Sequence, residues 1–349
     1  MKGLLKYLSP FAPDQSGAAS VLYDLGGITV ICDAGGCTGN ICGFDEPRWF
    51  KRKSAIFSAG LRDMDAILGR DDRLIDKLKD TAEKVDASFI ALIGTPVPAV
   101  IATDYKALKR MAEKRCNLPV ITIECTGTYL YDVGEEAAYL QLFERFAEDA
   151  PDTVPGRIGV IGATPLGLSH INANQKICEN LLKEGYQEIF CYGMGSGLDA
   201  VKAAGSAEKN LVVSPAGLKA AEYLKRRFGT PYQTGYPLLT QSFKETLHSL
   251  SGKKILIVHQ QIAANEIRKE LRAGGSADVT AATWFLQNED LKEPADFYLS
   301  TERQFTEAVC QGGYDVVIGD QMLKRALKEY KGDFIHIPHF AVSGECADD

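Results

Sequence analysis

The chain reads ITVICDAGGCTGNIC from Ile28 to Cys42, a short apolar run followed at once by glycines and by cysteines spaced five residues apart. The apolar run is typical of a buried strand, and the glycines after it are typical of a tight turn. In open parallel sheets, ligands gather at the carboxyl ends of the strands. Thiolates at that position suit a soft metal centre. The stretch therefore predicts a strand, a turn and a candidate metal site that includes Cys32, Cys37 and Cys42.

Short apolar runs alternate with amphipathic stretches along the whole chain, which is the pattern of parallel α/β units. We predict three successive Rossmann-like domains with parallel sheets flanked by helices, at residues 1–150, 151–250 and 251–349. A proline-rich break at residues 150–156 separates the first two. The predicted strands are 28–31, 89–93, 120–123, 158–161, 188–192, 211–213, 255–258, 278–282, 315–318 and 334–337. The predicted helices are 71–85, 104–114, 172–184, 217–228, 263–273, 302–310 and 321–330.

Composition and motifs exclude several classes of function. The formal net charge of −7 argues against a nucleic-acid binder, because such a protein needs a basic surface. No apolar run is long enough to cross a bilayer, and the polar first ten residues do not resemble a signal peptide. No Gly-x4-Gly-Lys-Ser/Thr sequence occurs, so ATP binding through a P-loop is not expected. We expect a cytoplasmic protein with a small-molecule substrate and with no nucleic-acid or membrane partner.

Nine cysteines are more than expected for a cytoplasmic chain of this length, and a reducing compartment disfavours disulfides. Cys125 follows the strand predicted at 120–123. If that strand neighbours the strand at 28–31, Cys125 converges with the three cysteines of the first turn. Four thiolates would suit an iron–sulfur cluster or a structural zinc ion, and inert cysteines are the third alternative.

The other cysteines and the histidines show no ligand pattern. Cys178, Cys191 and Cys310 lie in helical or strand-like segments and are interpreted as small buried hydrophobes. The histidines are scattered and are expected to be structural, with His339 the best candidate for a site. Three charged residues after the cysteine turn are interpreted as surface or interface charges: Asp45, Glu46 and Arg48.

The order and spacing of several segments resemble the nitrogenase component 1 superfamily. This group covers the dinitrogenase subunits, their cofactor-assembly scaffolds, the dark-operative protochlorophyllide and chlorophyllide reductases, and the reductive cyclase of methanogen nickel-tetrapyrrole synthesis. Residues 33–37 are similar to the family's His-Gly-Pro-x-Gly-Cys turn, in which Cys37 takes the cluster-ligand position after Gly36. Residues 93–104 resemble its Cys-Pro-Thr-Gly-Leu-Ile-Gly-Asp-Asp turn and include Thr95. Further similar segments are 13–18, 58–74, 210–214 and 338–344.

Departures from the family pattern limit what the resemblance implies. Pro96 and Pro13 stand about where further cluster cysteines are usual, and Ser214 and Pro338 stand where a dinitrogenase has its cofactor cysteine and histidine. A molybdenum–iron cofactor is therefore not expected. The resemblance implies a [4Fe–4S] cluster at a subunit interface. Its candidate metal ligands are Cys37, Cys42, Cys32 and Cys125, and its other candidate contacts are Gly36, Gly39, Asn40 and Thr95.

By resemblance, such a chain is a reductase subunit of a homodimer, or of a heterodimer with a paralogous subunit. It takes electrons from a separate ATP-dependent iron protein and passes them through the interface cluster to a substrate between the domains. The substrate is left open among tetrapyrroles, small unsaturated molecules and sulfur compounds. The alternatives are a cofactor-assembly scaffold or carrier without turnover, and a cluster-free solute-binding α/β protein.

Overall fold

The computed structural model describes residues 5–149 and 152–347. It contains three parallel sheets flanked by helices, which follow one another along the chain. The first sheet has the strand order β2-β1-β3-β4. Its strands are β1 (Ile28–Ile31), β2 (Ile56–Ser58), β3 (Ile90–Ile93) and β4 (Val120–Ile123). The predicted α/β fold class is confirmed.

The second and third sheets repeat this plan with the orders β6-β5-β7-β8 and β11-β10-β9-β12-β13. The strands of the second sheet are β5 (Val154–Ile161), β6 (Glu188–Cys191), β7 (Ala207–Val212) and β8 (Tyr232–Thr234). Those of the third are β9 (Ile255–Val258), β10 (Val279–Thr283), β11 (Phe297–Tyr298), β12 (Val316–Gly319) and β13 (Asp333–His336).

Helices cover the sheets and connect their parallel strands, as right-handed crossovers require. Those of the first third of the chain are α1 (Asp14–Leu22), α2 (Gly36–Asn40), α3 (Asp63–Leu68), α4 (Asp71–Ala82), α5 (Pro96–Val100), α6 (Tyr105–Cys116) and α7 (Tyr131–Phe146). The others are α8 (Pro165–Leu168), α9 (Ala173–Lys183), α10 (Leu198–Lys202), α11 (Leu218–Phe228), α12 (Gln241–His248), α13 (Gln261–Ala273), α14 (Glu302–Gln311) and α15 (Phe340–Ser343).

Each sheet has one point at which successive connections run to opposite sides, and crevices at such points bind ligands. These points lie between β1 and β3, between β5 and β7, and between β9 and β12. The cysteine turn after β1 therefore stands at the switch point of the first sheet. Convergence of the four thiols was expected only if the strands before Cys32 and Cys125 were neighbours. They are not, because β3 lies between β1 and β4. Two inter-strand spacings, roughly 10 Å, separate those strands.

Helices α1 and α7 cross closely between the first and second sheets. All nine residues of α1 are buried, and the buried face of α7 carries Asp132, Gly134 and Glu135. A methyl group at Gly17 would lie 1.8 Å from the carbonyl oxygen of Tyr131, and one at Gly134 would lie 1.8 Å from that of Asp14. Only glycine permits this approach of the two backbones. The sequence patterns predicted neither helix, because neither shows an apolar stripe beside a polar face.

Replacing Gly17 by alanine is expected to lower the free energy of unfolding by about 1–3 kcal/mol, because α1 and α7 must separate to admit the methyl group. Urea denaturation followed by circular dichroism measures the change. Gly39→Ala is the matched control, since no atom lies within 4 Å of its added methyl group and alanine favours the helix. Equal stabilities of the two variants would contradict the close crossing.

Some sequence predictions need correction. The helix predicted at 321–330 is a 3-10 helix that ends earlier, Gln321–Ala326. Cys310 is exposed rather than buried, because it lies on the outer face of α14. Each sheet falls inside one of the three predicted domains, but the boundaries stay a prediction, and residues 150 and 151 lie outside the described residues. Within the described ranges, no helix is long and apolar enough to cross a membrane.

Candidate functional site

The carboxylate of Asp33 fixes the turn after β1 by accepting hydrogen bonds from both of its sides. Gly35 has a φ of 123°, a conformation that favours glycine, and α2 begins directly after it. The Oδ2 atom of Asp33 accepts a hydrogen bond from the N–H of Thr38 at 2.8 Å, and Oδ1 accepts from the hydroxyl of Ser58 at 2.6 Å. These bonds fix α2 against the edge strand β2. The side chain of Cys37 is thereby held at the switch point.

Cys37 is half-buried and lies beside Thr95, the second residue after the end of β3. Burial raises the pKa of the Cys37 thiol, the charge of Asp33 raises it further, and a hydrogen bond with the Thr95 side chain acts in the opposite direction. The Thr95 hydroxyl donates to the carbonyl oxygen of Cys32 at 2.8 Å. The two predicted residues Cys37 and Thr95 therefore belong to one site.

Asp14, which the sequence patterns did not identify as a site residue, connects this site to Cys125. Its carboxylate accepts hydrogen bonds from the backbone N–H groups of Gln15, Thr126 and Gly127 at 2.8–2.9 Å. Burial raises the pKa of the Cys125 thiol, and the charge of Asp14 raises it further. The same charge is among the causes that raise the pKa of Cys37. Cys37 and Cys125 are thus neighbours of one buried carboxylate.

Cys32 and Cys42 have different surroundings. Cys32 packs with Leu74 and Tyr105 in the apolar core on one face of the first sheet, whereas Cys125 packs on the other face. Burial raises the pKa of Cys32 to about 12. Cys42 lies in a π-helical turn, Ile41–Asp45, where burial and the charge of Glu46 raise its pKa. Cys37, Cys42 and Cys125 therefore pack on one face of the first sheet and Cys32 on the other, and the charge of Asp14 acts on Cys37 and Cys125.

The remaining predicted contacts lie on the surface of α2. Gly36, Gly39 and Asn40 are exposed, and no atom lies within 4 Å of a methyl group placed on either glycine. The Asn40 side chain donates to the Oδ2 atom of Asp45 at 2.5 Å. Among residues 5–149 and 152–347, no three His, Cys, Asp or Glu side chains form a group that could hold a metal ion. One chain alone does not supply a complete metal site there.

Exposed apolar side chains follow the cysteine turn in the chain and also lie on α5. Phe44, two residues after Cys42, is 73% exposed, and Val100 on α5 is 85% exposed. Exposed apolar surface marks an interaction site where it is contiguous. We call this surface the apolar rim and define it by Phe44, Val97, Val100, Ile101 and Tyr129.

A second polar group lies where the second and third sheets meet. His339 and His259 are buried, and their rings stack with centroids 4.4 Å apart. The Nε2 atom of His339 is 2.9 Å from the hydroxyl of Tyr131, and its backbone N–H donates to Asp320 at 2.8 Å. Both histidines follow strands of the third sheet, which is a signal that sequence reasoning could have used.

Burial of the two imidazoles predicts a pH effect. Burial lowers the pKa of His259 to about 4 from 6.5, and it lowers that of His339 as well. Below pH 6.5 the unfolded chain takes up protons that the folded chain does not, so the contribution of His259 to stability falls as the pH falls from 6.5 to 4. The contribution of His259 to the free energy of unfolding falls by at most about 1.4 kcal/mol per pH unit.

Wild type is therefore expected to lose about 1.5 kcal/mol more stability between about pH 6.5 and about pH 5 than His259→Gln. Urea denaturation at the two pH values measures this difference. Identical pH dependence of wild type and His259→Gln would show that His259 is not held neutral.

Glu46 and Arg48 are buried, which corrects their interpretation as surface charges. Arg48 forms an ion pair with Glu46 at 2.7 Å and with Asp24 at 3.1 Å. It also donates to the carbonyl oxygen of Gly193 at 3.0 Å, in the loop after β6. A charged residue is expected to be exposed unless it is paired. The sequence does not reveal the pairing of Arg48, because its partners include groups that are distant in sequence. Arg48 connects the first and second sheets.

Fold and site together define an α/β protein with three parallel sheets and with the Cys37 turn at the switch point of the first. Residues 16–274 match the model of the family described as "Nitrogenase component 1 type Oxidoreductase". The match covers more than half of the chain, which therefore belongs to the nitrogenase component 1 type oxidoreductase family.

Individual relatives agree with this family. The chain is 25% identical over 200 residues to the nitrogenase iron-molybdenum cofactor biosynthesis protein NifE of Bradyrhizobium diazoefficiens, a segment that covers 56% of this chain and 36% of that protein. It therefore spans about a third of that curated relative. The structure of nitrogenase Cp1 at pH 6.5 has a TM-score of 0.73 and 13% identity, and the likeness covers 97% of this chain and 87% of that one. The corresponding structure at pH 5 has a TM-score of 0.69 and 14% identity, with coverages of 96% and 85%.

Proposed function

We propose that this chain is a nitrogenase-like reductase subunit that shares a [4Fe–4S] cluster with a second chain, takes electrons from an ATP-dependent iron protein and passes them to a small-molecule substrate. The observation that carries the proposal is the pair of thiols, Cys37 and Cys125, beside Asp14 and next to the exposed apolar rim. Membership of an oxidoreductase family supports it.

The donor set fits a cluster shared between two chains. Iron–sulfur clusters are held by cysteine thiolates, four for a [4Fe–4S] cluster. One chain offers two neighbouring thiols, Cys37 and Cys125, so a second chain is needed to complete the set.

The side chains around the thiols would position a bound [4Fe–4S] cluster and shield it from water. When bound, such a cluster supplies one-electron transfer. Asp14 holds the loop that carries Cys125, and Thr95 links the ends of β1 and β3 beside Cys37. The apolar rim would exclude water when a second chain covers it. Cys37 and Cys125 form no disulfide, as a reducing cytoplasm would require.

A cofactor-assembly scaffold is the second candidate. The curated relative is named as a cofactor biosynthesis protein, which favours this alternative. A scaffold would hold the same cluster and form the same dimer, but it would not turn over a substrate. The two candidates therefore differ only in whether reduction of the cluster leads to turnover.

Anaerobic purification tests the shared part of both candidates. A brown protein with about four iron atoms per dimer is the expected result, and a colourless, metal-free protein would exclude both. Reduction of the cluster by an iron protein with ATP, followed by substrate turnover, separates the reductase from the scaffold. A cluster that is reduced without turnover of any substrate would favour the scaffold.

The apolar rim is expected to be the dimer interface. Val100→Asp should convert the dimer to monomer in sedimentation and lower the iron content with it, because burying an unpaired carboxylate is costly. Leu182→Asp is the matched control, since Leu182 is an exposed apolar residue on α9, outside the rim. A Val100→Asp protein that stays dimeric would place the interface elsewhere.

A further inference from the structure

Residues 5–13, which we call the strap, precede α1 and contain no helix or strand. The strap lies against the elements of the third sheet. Leu8 and Ala12 are buried in the apolar core on that sheet, and the ring of Phe11 packs against Trp284 with centroids 5.4 Å apart. An irregular segment that buries so few side chains opens at a lower free energy than the whole protein.

One carboxylate anchors the beginning of the strap. The Oε2 atom of Glu302, the first residue of α14, accepts hydrogen bonds from three successive backbone N–H groups at 2.9–3.0 Å. The donors are Lys6, Tyr7 and Leu8. Glu302 is buried, and hydrogen bonds to an ionised acceptor are stronger than those to a neutral one. Three bonds of the strap therefore depend on one side chain.

The end of the strap holds the connection between β4 and α7. The N–H of Ala12 donates to the carbonyl oxygen of Ala341 in α15 at 2.8 Å. The carbonyl oxygen of Ala12 accepts from the N–H of Tyr131 at 2.9 Å, and Pro13 lies opposite Leu130 in an antiparallel bridge. The strap thus joins the third sheet's elements to the connection after β4.

This connection begins directly after Cys125, which is 5% exposed and is the second residue beyond the end of β4. Asp14, the next residue after the strap, accepts from the N–H groups of Thr126 and Gly127 and donates its own N–H to Tyr129. Release of the strap removes the bond to Ala12 and leaves the connection with its bonds to Asp14. The hold on the thiol-bearing loop is then weaker.

We propose that the strap controls access to Cys125. Its release from Glu302 loosens the loop after β4 and opens this thiol to molecules from solvent, and its return buries the thiol again. That iron is the species admitted in this way rests on the proposed function. The control of access does not, since neither Glu302 nor the strap belongs to the thiol site.

Labelling of chelator-treated, iron-free protein with iodoacetamide, followed for each cysteine by mass spectrometry, tests the proposal. Glu302→Gln is expected to raise the labelling rate of Cys125 at least about tenfold, because a neutral amide holds the three N–H groups more weakly than a carboxylate. Cys191, which is 2% exposed at the end of β6, should keep its wild-type rate because the strap does not touch the second sheet. Glu307→Gln is the matched control on the same helix, since Glu307 pairs with Arg303 on the surface and should leave the rate at Cys125 unchanged.

A second variant acts on the strap without changing the carboxylate. Leu8→Ala removes a buried side chain of the strap and should also speed the labelling of Cys125. Circular dichroism shows whether each variant is folded. An unchanged rate at Cys125 in both folded variants overturns the proposal, and so does an equal increase at Cys125 and Cys191, which would show a general loosening of the protein.

The labelling needs neither iron, reductant nor ATP, so its failure differs from failure of the proposed function. Faster labelling of Cys125 in Glu302→Gln, together with a wild-type protein that never binds iron, would sink the reductase and keep the strap. Iron-containing wild type whose Cys125 is labelled at the same rate with and without an intact strap would do the reverse.

Discussion

Cys37→Ala is expected to reduce the iron content of anaerobically purified protein from about four atoms per dimer to nearly none. A methyl group offers no electron pair to iron, and a dimer loses two of its four ligands at once because the substitution occurs in both chains. Cys125→Ala should have the same effect, because Cys37 and Cys125 border the same carboxylate, Asp14. Iron assay and the visible absorption spectrum measure the loss.

The controls for this result are other cysteines of the same chain. Cys178→Ala should keep full iron content, since Cys178 lies on α9, far along the chain from the thiol site. Cys32→Ala should also keep its iron, because Cys32 packs in the apolar core on the opposite face of the first sheet. If Cys37→Ala retains all of its iron while Cys32→Ala loses it, the proposed ligand pair is wrong.

Arg48→Met is expected to lower the free energy of unfolding by about 3–5 kcal/mol. The substitution leaves the carboxylate of Glu46 buried without its partner, and it removes the hydrogen bonds to the carbonyl oxygens of Ser20 and Gly193. The methionine fills much of the space but satisfies none of these acceptors. Urea denaturation at neutral pH measures the loss.

Arg52→Met is the matched control, because Arg52 pairs with the same Asp24 but its side chain is 65% exposed. An exposed ion pair contributes less than about 1 kcal/mol. The double variant Glu46→Gln/Arg48→Met should recover part of the lost stability, since it removes the uncompensated charge. Equal losses for Arg48→Met and Arg52→Met would show that burial of Arg48 does not matter for stability.

Much of the architecture could be predicted from local patterns. Ile28–Ile31, Val120–Ile123 and Ile255–Val258 were predicted with the bounds that the structure shows. Each is a short run of mostly apolar, β-branched residues, as expected for a strand that is covered on both faces of a parallel sheet. The amphipathic helices α9 and α11 were found within one residue at each end, because one face of each is apolar and the other polar.

The two central helices could not be found in this way. The buried face of α7 includes Asp132 and Glu135, and α1 begins with Asp14, Gln15 and Ser16, so neither resembles a helix that packs on a sheet. Their polar groups have partners from distant parts of the chain. Asp132, for example, accepts a hydrogen bond from the backbone N–H of Leu286. Such partners are invisible to local periodicity.

The residues of the candidate site also fall into two groups, those that the sequence could suggest and those that only the folded structure shows. Cys37 and Thr95 could be proposed from the turn and from the family resemblance, because both lie in turns that follow a predicted strand end. That Cys125 is proposed to accompany Cys37 depends on Asp14, which reaches from α1 to the loop after β4 and could not be identified from the sequence. The exposed apolar rim likewise depends on which side chains the folded chain leaves uncovered.

The sequence by itself therefore determined the class of fold and the family, since apolar runs and turn residues act over a few positions. Only the tertiary structure decided the close helix crossing, the buried Arg48 and the position of Asp14 at the loop that carries Cys125. The physical reason is that a polar or charged group can be buried only when its partners surround it. Those partners, such as Gly193 for Arg48, come from chain segments that meet only after folding.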